Sequence, residues 1–266
     1  MPSELPAMIG TFDAAAASYD IVGVDFFTPM GAELVRRAAI RPGEHVLDVG
    51  CGRGAVLLNA AAAAGPAGRV VGIDLAPAMV ELTAAATAHL PGVTVRVGDA
   101  QQPPFGPGTF DVVTAGLVLF FLPDPPAAVA AYRELLRPGG RLAFSSFAEF
   151  DPRYERAMKA LAAHTATPQR REPAPGMFGS EESLRAALSA WSRIRITEFT
   201  QVSRFAGIEQ WLTWVASHGG RAVLAAVPAE RLPAATAAAE AELAGARTDD
   251  GTIHLTTTIR VVVADR

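Results

Sequence analysis

Between Asp48 and Gly54 the chain reads Asp48-Val49-Gly50-Cys51-Gly52-Arg53-Gly54, an acid followed by glycines at alternate positions. Glycine reaches positive φ without strain and has no Cβ, so this backbone can turn sharply and lie against a ligand where side chains would collide. Val46 and Leu47 before it read as the end of an apolar strand, and residues 55–64, rich in strong helix formers, read as a helix. A helix opening at the loop points its first N–H groups at whatever the loop holds. The chemistry this suits is the binding of a nucleoside cofactor.

Two cofactors compete for such a turn. Gly50, Gly52 and Ala55 satisfy the dinucleotide fingerprint, and Asp74 lies about 20 residues on, where a ribose-binding acid belongs. Asp48 separates the two. A pyrophosphate at a helix N-terminus gains from positive potential, which a carboxylate at the strand end opposes. S-adenosylmethionine (SAM) carries an ammonium and a sulfonium, so an acid at this edge suits it. Its own carboxylate can still use the helix N-terminus.

The strands needed to hold these groups follow in order. Residues 69–75 read as a second buried strand ending in Asp74, placed to accept from both ribose hydroxyls. A third, at 93–97, ends in Gly98-Asp99-Ala100, where a carboxylate can accept from an adenine amino group. Leu75, Met79 and Ala100 supply apolar walls for the adenine. Residues 110–117 read as a fourth strand, 126–136 as an Ala-rich helix, and 137–147 as a turn entering a fifth strand. The acids sit at strand ends.

The ordered set Leu47–Gly54, Gly72-Ile73-Asp74, Gly98-Asp99-Ala100, Phe110-Asp111-Val112-Val113 and Leu136-Arg137-Pro138-Gly139-Gly140 closely resembles the class I SAM-dependent methyltransferases. The likeness is to the small-molecule group that includes ubiquinone and menaquinone methyltransferases, and it spans roughly Tyr19 to Phe147. It implies a Rossmann-like, doubly wound sheet of seven strands, mostly parallel with an antiparallel last strand, plus helical lid insertions. It places Gly50, Gly52 and Gly54 along the methionine end of SAM, with Cys51 as a small residue of the same turn. Asp74 falls on the ribose, Asp99 near the adenine amino group, and Ala115 and Gly116 under the methionyl part. Tyr19, of the Tyr19-Asp20 pair, becomes a contact of the flap that closes over SAM.

Composition fits a single enzyme domain over residues 1–266. The chain is 50% hydrophobic, and no apolar run approaches the roughly 18 residues that cross a bilayer. The first residues lack a secretory signal, and one cysteine permits no internal disulfide, so a cytoplasmic setting is expected. A net charge of −4 gives no broad basic surface for nucleic acid, and a small-molecule acceptor is favoured. Arg170 and Arg171, with Lys159 upstream, form one local basic grouping.

Around a cofactor core at 41–147, three segments can build an acceptor pocket. The first is an N-terminal helical flap, residues 1–40, carrying Tyr19, Phe26 and Phe27. The second, 148–180, is too long for an ordinary connection, and Pro168, Pro173 and Pro175 give it a partly extended path. The third, 206–245, carries Trp211, Trp214 and His218 between strands expected at 193–205 and 252–264.

Methyl transfer from a sulfonium needs the acceptor held in line, so positioning carries much of the catalysis. A base is needed only where the acceptor must lose a proton early. After the fourth strand, where many relatives place a polar residue, this chain has Phe120 and Phe121, which can stabilise a cationic transition state through ring quadrupoles and exclude water. Glu149 and Asp151, just beyond the fifth strand, are the candidate bases. No metal-ligand spacing and no Gly-x-Ser-x-Gly elbow occurs. The alternatives carried are an NAD(P)-dependent oxidoreductase, and a SAM-binding fold that isomerises, cyclises or only binds its ligand.

Overall fold

The computed structural model describes residues 4–20, 22–166 and 176–266. The prolines at 168, 173 and 175 and the Arg170-Arg171 grouping lie outside them. In chain order the elements are α1 (Glu4–Ala15), α2 (Phe27–Ala38), β1 (His45–Val49), α3 (Leu57–Ala64), β2 (Arg69–Asp74), α4 (Pro77–Thr87), β3 (Val93–Val97) and β4 (Phe110–Gly116). They continue with α5 (Pro125–Leu135), β5 (Leu136–Phe150), α6 (Pro152–Ala162), α7 (Glu181–Ala187), β6 (Ser192–Phe205), α8 (Ile208–Ala216), α9 (Arg221–Ala225), α10 (Leu232–Leu243) and β7 (Ile253–Asp265). No described helix is long and apolar enough to cross a membrane.

Seven strands form one sheet in the order β3-β2-β1-β4-β5-β7-β6. The pairs β3–β2, β2–β1, β1–β4 and β4–β5 are parallel, and the last strand runs antiparallel. From β1 the chain steps outward to β2 and β3, then returns to β4 on the other flank of β1. Ligands of doubly wound sheets bind at such a switch point, outside the carboxyl ends of the two diverging strands. The last strand, β7, lies between β5 and β6, with β6 outermost.

The chain forms two compact units. One holds the described residues within Phe27–Phe147, Pro173–Phe199 and Ile259–Arg266; the other holds those within Met1–Phe26, Ala148–Glu172 and Thr200–Thr258. In the first, Leu47 and Val49 of β1, Val113 of β4 and Leu142 and Phe144 of β5 are fully buried in one apolar cluster with Tyr132 of α5 and Leu184 of α7. Burying each large apolar side chain contributes about 1.5–3 kcal/mol. The helix α5 starts where its sequence says it should: Asp124 accepts from the Ala127 N–H at 3.0 Å, and prolines occupy the first turn. From the same helix the buried Tyr132 hydroxyl donates to the Ala100 carbonyl at 2.6 Å, which ties α5 to the loop after β3.

The second unit is helical apart from the far ends of β5, β6 and β7. Ala235 and Ala239 on α10 are buried at the four-residue spacing that keeps one helix face inward, as are Ala157 and Leu161 on α6. Trp214 meets Phe26, Phe205 and Tyr154 edge-on, with ring centres 4.9, 5.3 and 6.0 Å away. Near the N-terminus, α1 ends at Ala15, and residues 16–20 form a turn in which Asp20 has φ +58°.

Candidate cofactor site

The loop between β1 and α3 is a braced turn. The Cys51 N–H donates to the Ile73 carbonyl at 2.9 Å, the Gly52 N–H donates to Asp74 Oδ2 at 2.8 Å, and the Thr83 hydroxyl donates to the Gly52 carbonyl at 2.8 Å. Gly50 (φ +64°) has Val118 against it: a Cβ there would stand 2.4 Å from Val118 Cγ2. Gly52 (φ +48°) is the opposite case, with nothing within 4 Å of a built Cβ. One glycine lets the protein close on itself, and the other leaves backbone open to a ligand.

Asp48 is the unusual group. Its residue is 1% exposed, and in register with Thr114 of β4 it accepts the Thr114 hydroxyl on Oδ1 at 2.8 Å. Its Oδ2 is buried without a hydrogen-bond partner. Burial pushes the Asp48 pKa up to about 7; the Thr114 hydroxyl and, more weakly, the Leu57 backbone N–H work against this, and nearby Asp74 adds to it. A buried carboxylate oxygen without a partner is costly, and an ammonium group removes that cost by pairing with it. A pyrophosphate would add negative charge to negative charge. The residues present therefore fit SAM.

The other expected cofactor contacts gather at the same sheet edge, at the carboxyl ends of β1 to β4. Asp74 accepts the Gly52 and Ala76 N–H groups, at 2.8 and 2.9 Å, which holds its carboxylate at the carboxyl end of β2. Asp99 is half-buried and accepts the Gln101 N–H at 2.7 Å. Leu75 and Gly98 are half-buried, whereas Met79 (1% exposed) and Ala100 lie inside the protein. Ala115 is buried, and Gly116 is crowded by Val56, whose Cγ2 would be 2.6 Å from a Cβ. Gly54 completes the turn at φ +89°. Burial, then the neighbouring Asp48 and Asp74, raise the Cys51 thiol well above its ordinary pKa, so it is a poor nucleophile.

The acceptor candidates divide between the two units. In the first, Phe27 opens α2, Phe121 is 40% exposed, and Phe120 is half-buried against Phe121, Phe147 and Phe178, at ring-centre distances of 4.6, 5.6 and 6.2 Å. In the second, Phe26, Trp211 and Trp214 are core residues of the aromatic cluster. Tyr19 is half-buried and meets Phe12 edge-on, with ring centres 6.4 Å apart. Burial also holds His218 down at about pKa 4, so it is neutral near pH 7.

Glu149 is exposed near the end of β5. Asp151 is buried as the N-cap of α6, chelated by Arg153 at 2.7 and 2.8 Å and accepting the Thr256 N–H at 3.2 Å. The Arg153 guanidinium holds its carboxyl down at about 2, where it is a feeble proton acceptor. Among the described residues no cluster of three His, Cys, Asp or Glu could hold a metal ion.

Four supporting residues escaped the sequence reading. Thr114 holds Asp48, Thr83 anchors the glycine loop, Gln101 joins Asp99 to the Asp124 backbone, and Ser145 accepts the N–H of Leu117, which sits at φ +54° just past β4. For Thr114 a signal existed, since pairing the first and fourth strands brings it beside Asp48.

Residues 47–144 match a family model described as a methyltransferase domain. Among curated relatives, Nocamycin O-methyltransferase of Saccharothrix syringae is 52% identical over 133 residues, which is 49% of this chain and 48% of that protein. Aklanonic acid methyltransferase of Streptomyces sp. (strain C5) is 45% identical over 51% of this chain and 62% of its own, and a Demethylmenaquinone methyltransferase of Symbiobacterium thermophilum is 34% identical over 49% and 55%. The chain spans about half the length of the curated relatives it matches. Among solved structures, the YcgJ protein of Bacillus subtilis aligns over 90% of this chain and 98% of its own with a TM-score of 0.59 at 16% identity, a likeness of fold. Residues 47–144 are thus similar to methyltransferase domains, in line with the class I SAM-dependent group that the motifs resemble.

Proposed function

We propose that this protein transfers a methyl group from SAM to an oxygen, nitrogen or activated carbon of an apolar or aromatic small molecule, in secondary metabolism or quinone biosynthesis within the cytoplasm. The observation that carries the reading is the buried, partnerless oxygen of Asp48 beside the open backbone of Gly52. The names of the relatives, an O-methyltransferase, an aklanonic acid methyltransferase and a demethylmenaquinone methyltransferase, support this acceptor range.

When bound, SAM supplies a methyl group on a positively charged sulfur, already activated for displacement. The chain's own part is to bind and to exclude water. Asp48 takes the ammonium, Asp74 the ribose hydroxyls, Asp99 the adenine amino group, and Gly50, Gly52, Gly54, Ala115 and Gly116 give the close backbone approach. Phe120 and Phe121 present apolar ring faces and keep water from the acceptor. Recognition of the acceptor rests on the flap 1–40 and the segments 148–180 and 206–245, with Phe26, Phe27, Trp211 and Trp214 as aromatic contacts. Glu149 is the more available of the two candidate bases, because Asp151 is held by Arg153.

Incubation with isotope-labelled SAM and a panel of hydroxylated, aminated and keto-aromatic acceptors tests the reading. Label in an acceptor supports it; binding of S-adenosylhomocysteine without labelled product from any acceptor would turn it into a binding or rearranging protein. Asp74→Ala is expected to weaken SAM binding by about 1–3 kcal/mol, since two hydrogen bonds to the ligand disappear. Equal affinity by calorimetry would remove Asp74 from the ribose.

A further inference from the structure

At the opposite edge of the same sheet, the end where β1 and β4 begin, lies a second cleft of about 540 Å³. Five arginines line it: Arg37, Arg41, Arg141, Arg193 and Arg195. Its three acids, Glu44, Asp111 and Asp265, leave a surplus of two positive charges (five minus three) in a chain whose net charge is −4.

The acids are already matched. Glu44 is clamped by Arg141 at 2.7 Å, Asp111 by Arg137 from outside the cleft at 2.8 Å, and Asp265 by Arg195 at 2.8 Å. Part of the arginine content is structural: Arg141 also donates to the carbonyls of Ala38 and Ala39 and so closes the C-terminus of α2, and Arg37 pairs with Glu33 of that helix. Two cations remain over. Arg41 is exposed, with its backbone N–H donating to Glu44 Oε2 at 2.7 Å and its charge acting on the same carboxylate; Arg193 is 82% exposed and only shares Asp265, at 3.3 Å. Both acids have a closer partner, Glu44 in Arg141 and Asp265 in Arg195.

The backbone supplies a second observation. Four non-glycine residues in the described chain have positive φ, and two of them, Ala39 (+50°) and Arg193 (+43°), line this cleft. Left-handed backbone at a residue with a Cβ costs on the order of 1 kcal/mol, and such strain clusters at ligand sites. Here it holds Arg193 at the cleft.

We propose that this cleft binds a small molecule bearing a phosphate or pyrophosphate group, with Arg41 and Arg193 as its charge partners and Arg195 supporting them. Guanidinium groups match phosphate oxygens in pairs, and the cleft has the volume of an ordinary small-ligand pocket. The site is separate from the glycine loop: it lies where strands start, and the loop lies where they end. The proposal does not depend on methyl transfer.

The test is calorimetric titration with inorganic pyrophosphate and, in a second arm, with adenosine monophosphate, at constant ionic strength, with and without saturating S-adenosylhomocysteine. Saturable binding that persists with S-adenosylhomocysteine bound, and that falls roughly tenfold in Arg41→Ala/Arg193→Gly, supports the proposal. Tighter binding of the nucleotide than of pyrophosphate assigns the phosphate to a nucleotide, and the reverse order to a free anion. Gly relieves the strain at position 193, so the variant is expected to fold, and its S-adenosylhomocysteine affinity should match the unmodified protein. No saturable binding, equal binding by the variant, or displacement by S-adenosylhomocysteine would each overturn the proposal, the last by placing the anion in the glycine loop.

Discussion

Replacing Asp48 by asparagine is expected to stabilise the ligand-free protein above neutral pH and, at the same time, to remove most of its affinity for SAM. The folded-state pKa is pushed from the ordinary 3.8 to about 7. Between those values the folded protein holds a proton that the unfolded chain gives up, so stability falls as pH rises through the window and stays lowered above it. The full shift is worth about 4 kcal/mol at most, and asparagine avoids it while still accepting the Thr114 hydroxyl. Melting curves should therefore separate by several degrees at about pH 8 and converge near pH 4. Affinity should move the other way, dropping by roughly 10- to 100-fold with the loss of one charge-assisted pair. In the unmodified protein SAM should bind more tightly as pH rises through 7, because the ammonium pairs with the ionised acid. Identical melting profiles for the two proteins would show that Asp48 is not a buried, uncompensated acid.

The second large effect lies in packing. Gly31 sits inside α2 with its backbone against the first residues of the α3 region: a Cβ there would stand 2.3 Å from the Ala55 carbonyl oxygen and 2.5 Å from its carbon. These are backbone atoms that no rotamer change can move. Gly31→Ala must push α2 and the end of the glycine loop apart, and is expected to cost about 3 kcal/mol or more despite alanine's better helix propensity. Because Ala55 follows Gly54 directly, S-adenosylhomocysteine affinity should fall along with the melting temperature. Gly10→Ala, in α1 with nothing within 4 Å of its Cβ, is the control that should lose neither. A Gly31→Ala protein as stable as the parent would refute the close approach.

Much of the cofactor half was legible because its signals are local. Strand, glycine turn and acid follow one another within a few residues, and hydrophobic runs such as Val46–Leu47 and Val112–Val113 mark strands buried on both faces. What could not be read was anything set by the third dimension. Thr114 matters only through its register with Asp48, Gly31 only through a helix crossing, and Asp151 looks like a spare acid until Arg153 and Thr256 close on it. The arginine cleft draws on residues from position 37 to position 195, so no window of sequence displays it. Trp211 and Trp214, read as acceptor contacts, appear in the fold first as the centre of an aromatic core, and their part in recognition rests on the proposal above.

In the proposed function, Asp48, Asp74 and the glycine loop form a site for a cation-bearing nucleoside. Calorimetric titration of the purified protein with S-adenosylhomocysteine, with NAD and NADP in parallel, measures it directly. Saturable binding of S-adenosylhomocysteine alone, weakened by Asp48→Asn, is the expected result. Binding of NAD or NADP alone would contradict it, because a pyrophosphate would then be lying against the buried carboxylate of Asp48.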